Sequence, residues 1–92
     1  DAGVGGGTAR ALGAVLRDLD KTHQVIVVTH LPQVAVCGDT HYLVTKSDDV
    51  LPQTCLTLVS GESRTAEIAR MLAGEVNETS LAHAAELLSE QE

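Results

Sequence analysis

Aromatic residues are almost absent from this 92-residue sequence, which has one tyrosine, Tyr42, and neither tryptophan nor phenylalanine. A hydrophobic core must therefore be built from valine, leucine, isoleucine and alanine, which suits a layer inside a larger body. A chain of this length buries only about 60 to 65 % of its unfolded surface, enough for one small domain. We therefore expect a single unit, residues 1–92, without an internal repeat or a domain boundary.

Positive charge is also scarce, with six basic residues against thirteen acidic ones and a formal net charge of -7. Binding to a phosphate backbone requires lysine and arginine concentrated on one surface. The basic residues here are scattered, so this segment is a poor candidate for a surface that grips DNA. They are Arg10, Arg17, Lys21, Lys46, Arg64 and Arg70.

Three further features are missing: a CxxC pair, a signal-peptide pattern and a run of 18 or more apolar residues. Cys37 and Cys55 stand alone. These absences predict a cytoplasmic protein that does not enter a membrane. The sequence begins at Asp1 rather than at methionine, and its first feature is a glycine-rich turn. We therefore expect a piece of a longer protein.

The first half of the chain contains two clear patterns. Apolar residues recur at helical spacing in the segment 8–20, with Thr8 as the expected N-cap. Residues 24–29 form a short β-branched run, which predicts a buried strand covered on both faces. Pro32 can open a helix at its first position, and a short helix is expected over 34–37.

The second half predicts a hairpin followed by two helices. Segments 41–46 and 53–59 are strand-like and are expected to pair antiparallel across a polar loop. A helix begins at Glu62 and ends at Gly74, where a left-handed C-cap is expected. A last helix is capped near Asn77 or Thr79. The fold class is therefore α/β, with sheet strands flanked by helices.

His30 is the strongest candidate for chemistry, because it follows directly on the predicted strand. In open α/β sheets, ligands bind outside the carboxyl ends of the strands. An imidazole at that edge can hydrogen-bond a phosphate oxygen or an attacking water. The alternative, which the spacing alone favours, is that His30 only terminates the strand and bonds the Pro32 turn.

The glycine-rich run 3–8 invites comparison with phosphate-binding loops, but it fails both standard tests. A P-loop requires Gly-Lys-Ser/Thr and no lysine is present, and the dinucleotide fingerprint requires a glycine where Thr8 stands. A flexible turn before a helix is the alternative. A zinc site of His30, Cys37 and His41 is not expected, since structural zinc requires four ligands including a closely spaced pair.

Taken together, four segments resemble the RecN family of SMC-like DNA-repair ATPases, and the likeness covers nearly the whole chain. The match of a glycine-rich Asp-x-Gly-x-Gly-Gly with a later Thr-His-Leu-Pro-Gln is more specific than either motif alone. The segments are DAGVGG (1–6), VVTHLPQVA (27–35), ARMLAG (69–74) and AHAAELL (82–88).

The resemblance implies the C-terminal part of a P-loop NTPase head of the ABC/SMC type, coupled through a coiled coil to repair of DNA double-strand breaks. His30 would be the catalytic switch histidine near the γ-phosphate of ATP. Asp1, Gly3 and Gly5 would belong to the D-loop, which crosses to a second head in a homodimer and contributes to its nucleotide site. Gly5 stands where other SMC-like heads have a second acid.

The resemblance also implies what this chain does not supply. The P-loop, the signature motif, the Walker B aspartate and the catalytic glutamate would all precede Asp1. ATP and Mg²⁺ are therefore expected in the parent protein but not on the piece alone, which is expected to be inactive. DNA would contact other parts of the parent, and the parent would be associated with the nucleoid.

Two alternatives remain open from the sequence. In the first, the chain is the same lobe of another SMC-like or ABC ATPase, although the sequence of residues 29–33 argues against this. In the second, it is a stand-alone α/β protein-interaction module in which His30 has a structural role.

Overall fold

Four helices and a two-stranded sheet make up residues 6–91, the part of the chain that the computed structural model describes. The predicted class, α/β with helices beside strands, is confirmed at this level. No described helix combines the length and the apolar character needed to cross a membrane. The elements are α1 Gly6–Asp20, α2 Pro32–Ala35, β1 His41–Lys46, β2 Thr54–Val59, α3 Gly61–Ala73 and α4 Glu78–Ser89.

Helix α1 begins earlier than the sequence indicated. It starts at Gly6, so Gly7 and Thr8 already lie inside it, and the prediction of Thr8 as N-cap is wrong. An N-cap residue precedes the first helical residue and has non-helical dihedrals. Helix propensity did not mark this start, because glycine is among the least favourable residues in a helix.

The predicted strand at 24–29 is also wrong for the part of the chain that is described. These residues belong to no helix or strand, and the only strand pairing found among residues 6–91 is that of β1 with β2. Ile26 is 84 % exposed and Val28 is 94 % exposed. A strand is defined by hydrogen bonds to a neighbour, and β-branched composition cannot supply that neighbour.

Helix α2 is a single turn that begins at Pro32, as expected for proline at the first helical position. The predicted bounds, 34–37, were two residues too late. The chain leaves the helix through two turn bonds, from Cys37 N to Val34 O at 3.1 Å and from Gly38 N to Ala35 O at 3.2 Å. The segment 31–38 is thus one continuous compact turn.

The hairpin of β1 and β2 confirms the predicted antiparallel pair. Its register places Tyr42 opposite Leu58 and Val44 opposite Leu56. Side chains alternate across a strand, so these four residues lie on one face, and each is more than half exposed. On the opposite face, Val59 is buried where β2 leads into α3.

Helix α3 ends, and helix α4 begins, at the residues that the sequence predicted. Gly74 has φ 77°, the left-handed conformation, and its N–H donates to Arg70 O at 2.8 Å, which ends α3. Asn77 caps α4: its Oδ1 accepts from Ser80 N, and Ser80 Oγ accepts from Asn77 N, both at 2.9 Å. These local rules operate without tertiary help, which is why the sequence identified them.

The core lies where α3 and α4 pack together against the end of α2. Val36 contributes from the turn after α2, while Ile68 and Ala69 of α3 are fully buried beside Ala84 and Leu87 of α4. At about 25 cal/mol per Å² of apolar surface removed from water, such side chains provide the main stabilising contribution. The segment that follows His30 is therefore joined directly to the core.

A close approach between α1 and the α2 turn depends on Gly13. A Cβ atom added there would meet Cys37 Sγ, and it would lie 3.3 Å from Gln33 O. Cys37 Sγ itself donates to Gln33 O at 3.4 Å. The two elements can pack this closely only because residue 13 has no side chain.

We predict that Gly13→Ala lowers the free energy of unfolding by about 1–3 kcal/mol, the usual effect of overpacking a filled interface. Urea denaturation measures it. Gly7→Ala is the matched control: nothing lies within 4 Å of a Cβ there, so alanine's helix preference should leave stability unchanged or raised. Equal losses from both variants would contradict the close approach.

Candidate functional site

His30 lies between the 24–29 segment and α2, on the surface of the described part of the chain. Its neighbour Thr29 is partly buried, and Thr29 Oγ1 accepts a hydrogen bond from Leu31 N at 3.0 Å. This side-chain bond bends the chain around His30. The imidazole lies at this bend on the exposed surface, and the role of His30 as the catalytic residue stays a prediction.

The residues after His30 are hydrogen-bonded as a unit. Leu31 O accepts from both Val34 N and Ala35 N at 3.0 Å, and Pro32 O accepts from Val36 N at 3.0 Å. These bonds connect the α2 turn to Leu31, the residue next to His30. The position of His30 is consequently tied to that of α2.

Arg64 of α3 reaches across to the end of α2. Its Nη2 donates to Ala35 O at 3.1 Å and to Gly38 O at 2.7 Å. Burial lowers the pKa of the Arg64 guanidinium, while Asp39 acts in the opposite direction and Arg17 in the same one. Since an arginine remains protonated under all ordinary conditions, both bonds are charge-assisted.

Arg17 of α1 contacts the same turn from the other side. Its Nη1 donates to Cys37 O at 2.5 Å and lies 3.5 Å from Asp39 Oδ1. The ion pair is largely exposed, with side-chain exposures of 42 % and 73 %, so solvent screening leaves it a small energetic weight. The main contribution of Arg17 is to the geometry of the turn. Arg17 and Arg64, from two different helices, together donate hydrogen bonds to three backbone carbonyls of this turn.

Sequence reasoning missed Arg17 and Arg64, which it treated only as scattered surface charge. Their partners lie 20 to 29 residues away in the chain. No local motif marks an arginine that bonds backbone carbonyls at such a separation.

A partly buried ion pair joins two other residues of α3. Arg70 Nε and Nη2 donate to the two carboxylate oxygens of Glu67 at 2.7 and 2.6 Å, and Glu67 is buried. This bond raises the pKa of Arg70. His41, at the start of β1, has a lowered pKa because of burial first and Arg64 second, with Glu67 acting oppositely.

The three predicted D-loop residues, Asp1, Gly3 and Gly5, lie outside the described residues. Of the imagined zinc ligands, Cys37 has a pKa raised by burial, whereas a metal-binding cysteine needs a lowered one. Within residues 6–91, no group of three or more histidine, cysteine or acidic side chains is placed to hold a metal ion.

An open groove of about 890 Å³ runs along α3 and α4. His30 does not line it, so the groove and the predicted catalytic residue occupy different parts of the surface. Both arginines and several apolar side chains of the C-terminal part line it. Side chains lining it include Arg17, Asp39, Arg64, Val76, Leu81 and Leu88.

Comparison with known proteins shows a consistent similarity. No family model matches the chain. The DNA repair protein RecN of Xylella fastidiosa (strain Temecula1) is 49 % identical over 86 residues, 92 % of this chain. RecN of Streptomyces coelicolor is 49 % identical over 90 residues, 96 % of the chain, and RecN of Mycobacterium tuberculosis (strain H37Rv) is 51 % identical over 89 residues, also 96 %. The chain spans only 15 to 16 % of the length of these relatives.

The lowered pKa of His41 predicts a pH dependence of stability. A depressed folded-state pKa means that the unfolded chain binds the proton more tightly, so the stabilising contribution is complete above the ordinary value of 6.5 and is lost as the pH falls towards the folded-state pKa. Urea denaturation between pH 8 and pH 5 should therefore show a steeper loss of stability for the unaltered chain than for His41→Gln. Parallel curves would show that His41 does not contribute.

Proposed function

The chain belongs to the RecN family over the region that it matches, and on that premise we propose that it is part of an ATP-binding, ATP-hydrolysing, SMC-like protein acting in recombinational repair of DNA double-strand breaks. One observation carries the proposal: about half of the residues are identical to proteins named DNA repair protein RecN, over nearly the whole chain. This similarity favours RecN over another ABC-type ATPase or a separate interaction module.

The exposed apolar surfaces support a place within a larger head. Ile26 and Val28 are almost fully exposed, and the face formed by Tyr42, Val44, Leu56 and Leu58 is uncovered among the described residues. Apolar patches of this kind usually mark contact surfaces. In our proposal these surfaces, including the 24–29 segment, contact the rest of the longer protein.

His30 is the residue that we propose contacts the nucleotide. Its exposed position, at a bend after a segment suited to a sheet, is compatible with a hydrogen bond from the imidazole to a terminal phosphate oxygen or to the attacking water. A switch of this kind responds to the charge that develops as the phosphoryl group departs. The turn 31–38 would hold the imidazole in place during that change.

The groups that bind ATP and Mg²⁺ would come from the rest of the parent protein. Phosphoryl transfer requires a phosphate-binding lysine, a metal ion and a positioned water. The glycine-rich segment 3–8 contains no lysine. Asp1, Gly3 and Gly5 would form the D-loop facing a second head, and DNA would bind elsewhere on a parent that acts at the nucleoid in the cytoplasm.

We expect His30→Ala in the full-length protein to lower ATP turnover by about 10- to 100-fold, equivalent to the roughly 1.5–3 kcal/mol of a hydrogen bond to a charged group. Steady-state phosphate release measures turnover, and circular dichroism checks the fold. His83→Ala, on an exposed position of α4, is the matched control. Turnover equal to that of the unaltered protein would remove His30 from the mechanism.

We also expect the 92-residue chain by itself neither to hydrolyse ATP nor to bind it tightly, because it holds one of the several groups that the reaction requires. Phosphate release and equilibrium dialysis with labelled ATP test both points. Measurable hydrolysis that co-purifies with the chain would contradict the assignment.

A further inference from the structure

Helix α2 cannot set its own orientation, because it is a single turn of four residues. Short helices of this kind are not stable without outside contacts. The geometry of 31–38, and with it the position of His30, must therefore be set by other elements. Two kinds of contact serve this purpose, one apolar and one polar.

The apolar contacts fix how deeply the turn lies against the rest of the chain. Val34 is 5 % exposed, Val36 is 2 % exposed, and Val36 packs into the core with Ile68 and Ala84. Burial of apolar surface is non-directional. These contacts hold the turn against α3 and α4 but do not by themselves select one rotation of it.

The polar contacts are directional and select that rotation. Arg64 bonds Ala35 O and Gly38 O with one nitrogen, while Arg17 bonds Cys37 O. Hydrogen bonds weaken steeply when they are misaligned, so carbonyls held by two helices define the orientation of the turn. Arg17 lies in the helix that follows the glycine-rich run, and Arg64 lies beyond the hairpin.

We infer that Arg64, assisted by Arg17, is a positioning residue that orients His30 through α2. The inference rests on the proposed function, since it assigns Arg64 a role in the reaction in which His30 takes part. The path is short: Arg64 holds Ala35 and Gly38, Ala35 N bonds Leu31 O, and Leu31 adjoins His30. Misplacing a catalytic group by about 1 Å can cost on the order of 100-fold in rate.

A purely structural arginine would produce a different result, and a double-mutant cycle separates the two. If Arg64 acts through His30, removing it matters only while the imidazole is present. If Arg64 only stabilises the fold, its removal lowers activity by the same factor with or without His30. Non-additivity of this kind is the accepted sign that two residues act as a unit.

The cycle is measured in the full-length protein with His30→Ala, Arg64→Met and the double variant. Methionine keeps an unbranched apolar stem but cannot donate to the carbonyls. We expect Arg64→Met to lower kcat for ATP hydrolysis about 10-fold with KM for ATP within about 2-fold, and to lower kcat by less than about 2-fold in the His30→Ala background.

Two further variants serve as controls. Arg64→Lys keeps the charge but loses the planar fork, and we expect it to recover part of the lost turnover. Arg10→Met removes an exposed arginine from α1 and should leave kcat unchanged. If Arg64→Met does not fold, Arg17→Met replaces it in the same cycle, since Arg17 bonds the same turn from a more exposed position.

The outcomes distinguish failure of the inference from failure of the proposed function. If His30→Ala lowers turnover but the effects of the two substitutions multiply, or Arg64→Met has no effect, the positioning role is wrong and the proposed function stands. If His30→Ala leaves turnover unchanged, the proposed role of His30 fails and the inference fails with it. Loss of the Arg64 effect in the His30→Ala background supports both.

Discussion

The hydrogen bonds between the Arg64 guanidinium and the carbonyls of Ala35 and Gly38 are the interaction on which the candidate site depends. They join α3 to a turn that is too short to be stable alone. Without them, the buried valines would still hold α2 near the core but would not determine its rotation. The surface position of His30 is thus the product of contacts made by residues distant in sequence.

The arrangement of charge around this turn explains why arginine is suited to the task. Three carbonyl oxygens of the turn face two guanidinium groups, and Asp39 is the acidic residue that accompanies them. A guanidinium remains charged even where burial lowers its pKa, as it does for Arg64. A lysine in the same place would supply one point charge and no planar fork.

The exposed apolar surfaces agree with the finding that the RecN relatives are much longer than this chain. The hairpin face and the 24–29 segment expose side chains that a folded protein normally covers, and the chain spans about one-sixth of the RecN proteins that it matches. A two-stranded sheet is marginally stable by itself. In this protein the hairpin gains support from the packing of β2 against α3, while its other face remains open among the described residues.

The sequence by itself determined the features that depend on neighbours a few residues apart. The hairpin pairing, the left-handed end of α3 at Gly74 and the Asn77 cap of α4 all follow from local rules, as does the proline start of α2. The RecN resemblance, carried by two spaced motifs, was likewise readable from the residues and agrees with the relatives found.

Only the tertiary structure decided the rest. Whether 24–29 is a strand depends on a pairing partner, the role of Gly13 depends on Cys37 lying against α1, and the roles of Arg17 and Arg64 depend on carbonyls 20 to 29 residues away. The physical reason is the same in each case. Hydrogen bonds and close packing act between groups within a few ångströms in space, and sequence periodicity describes only those that the local backbone brings together.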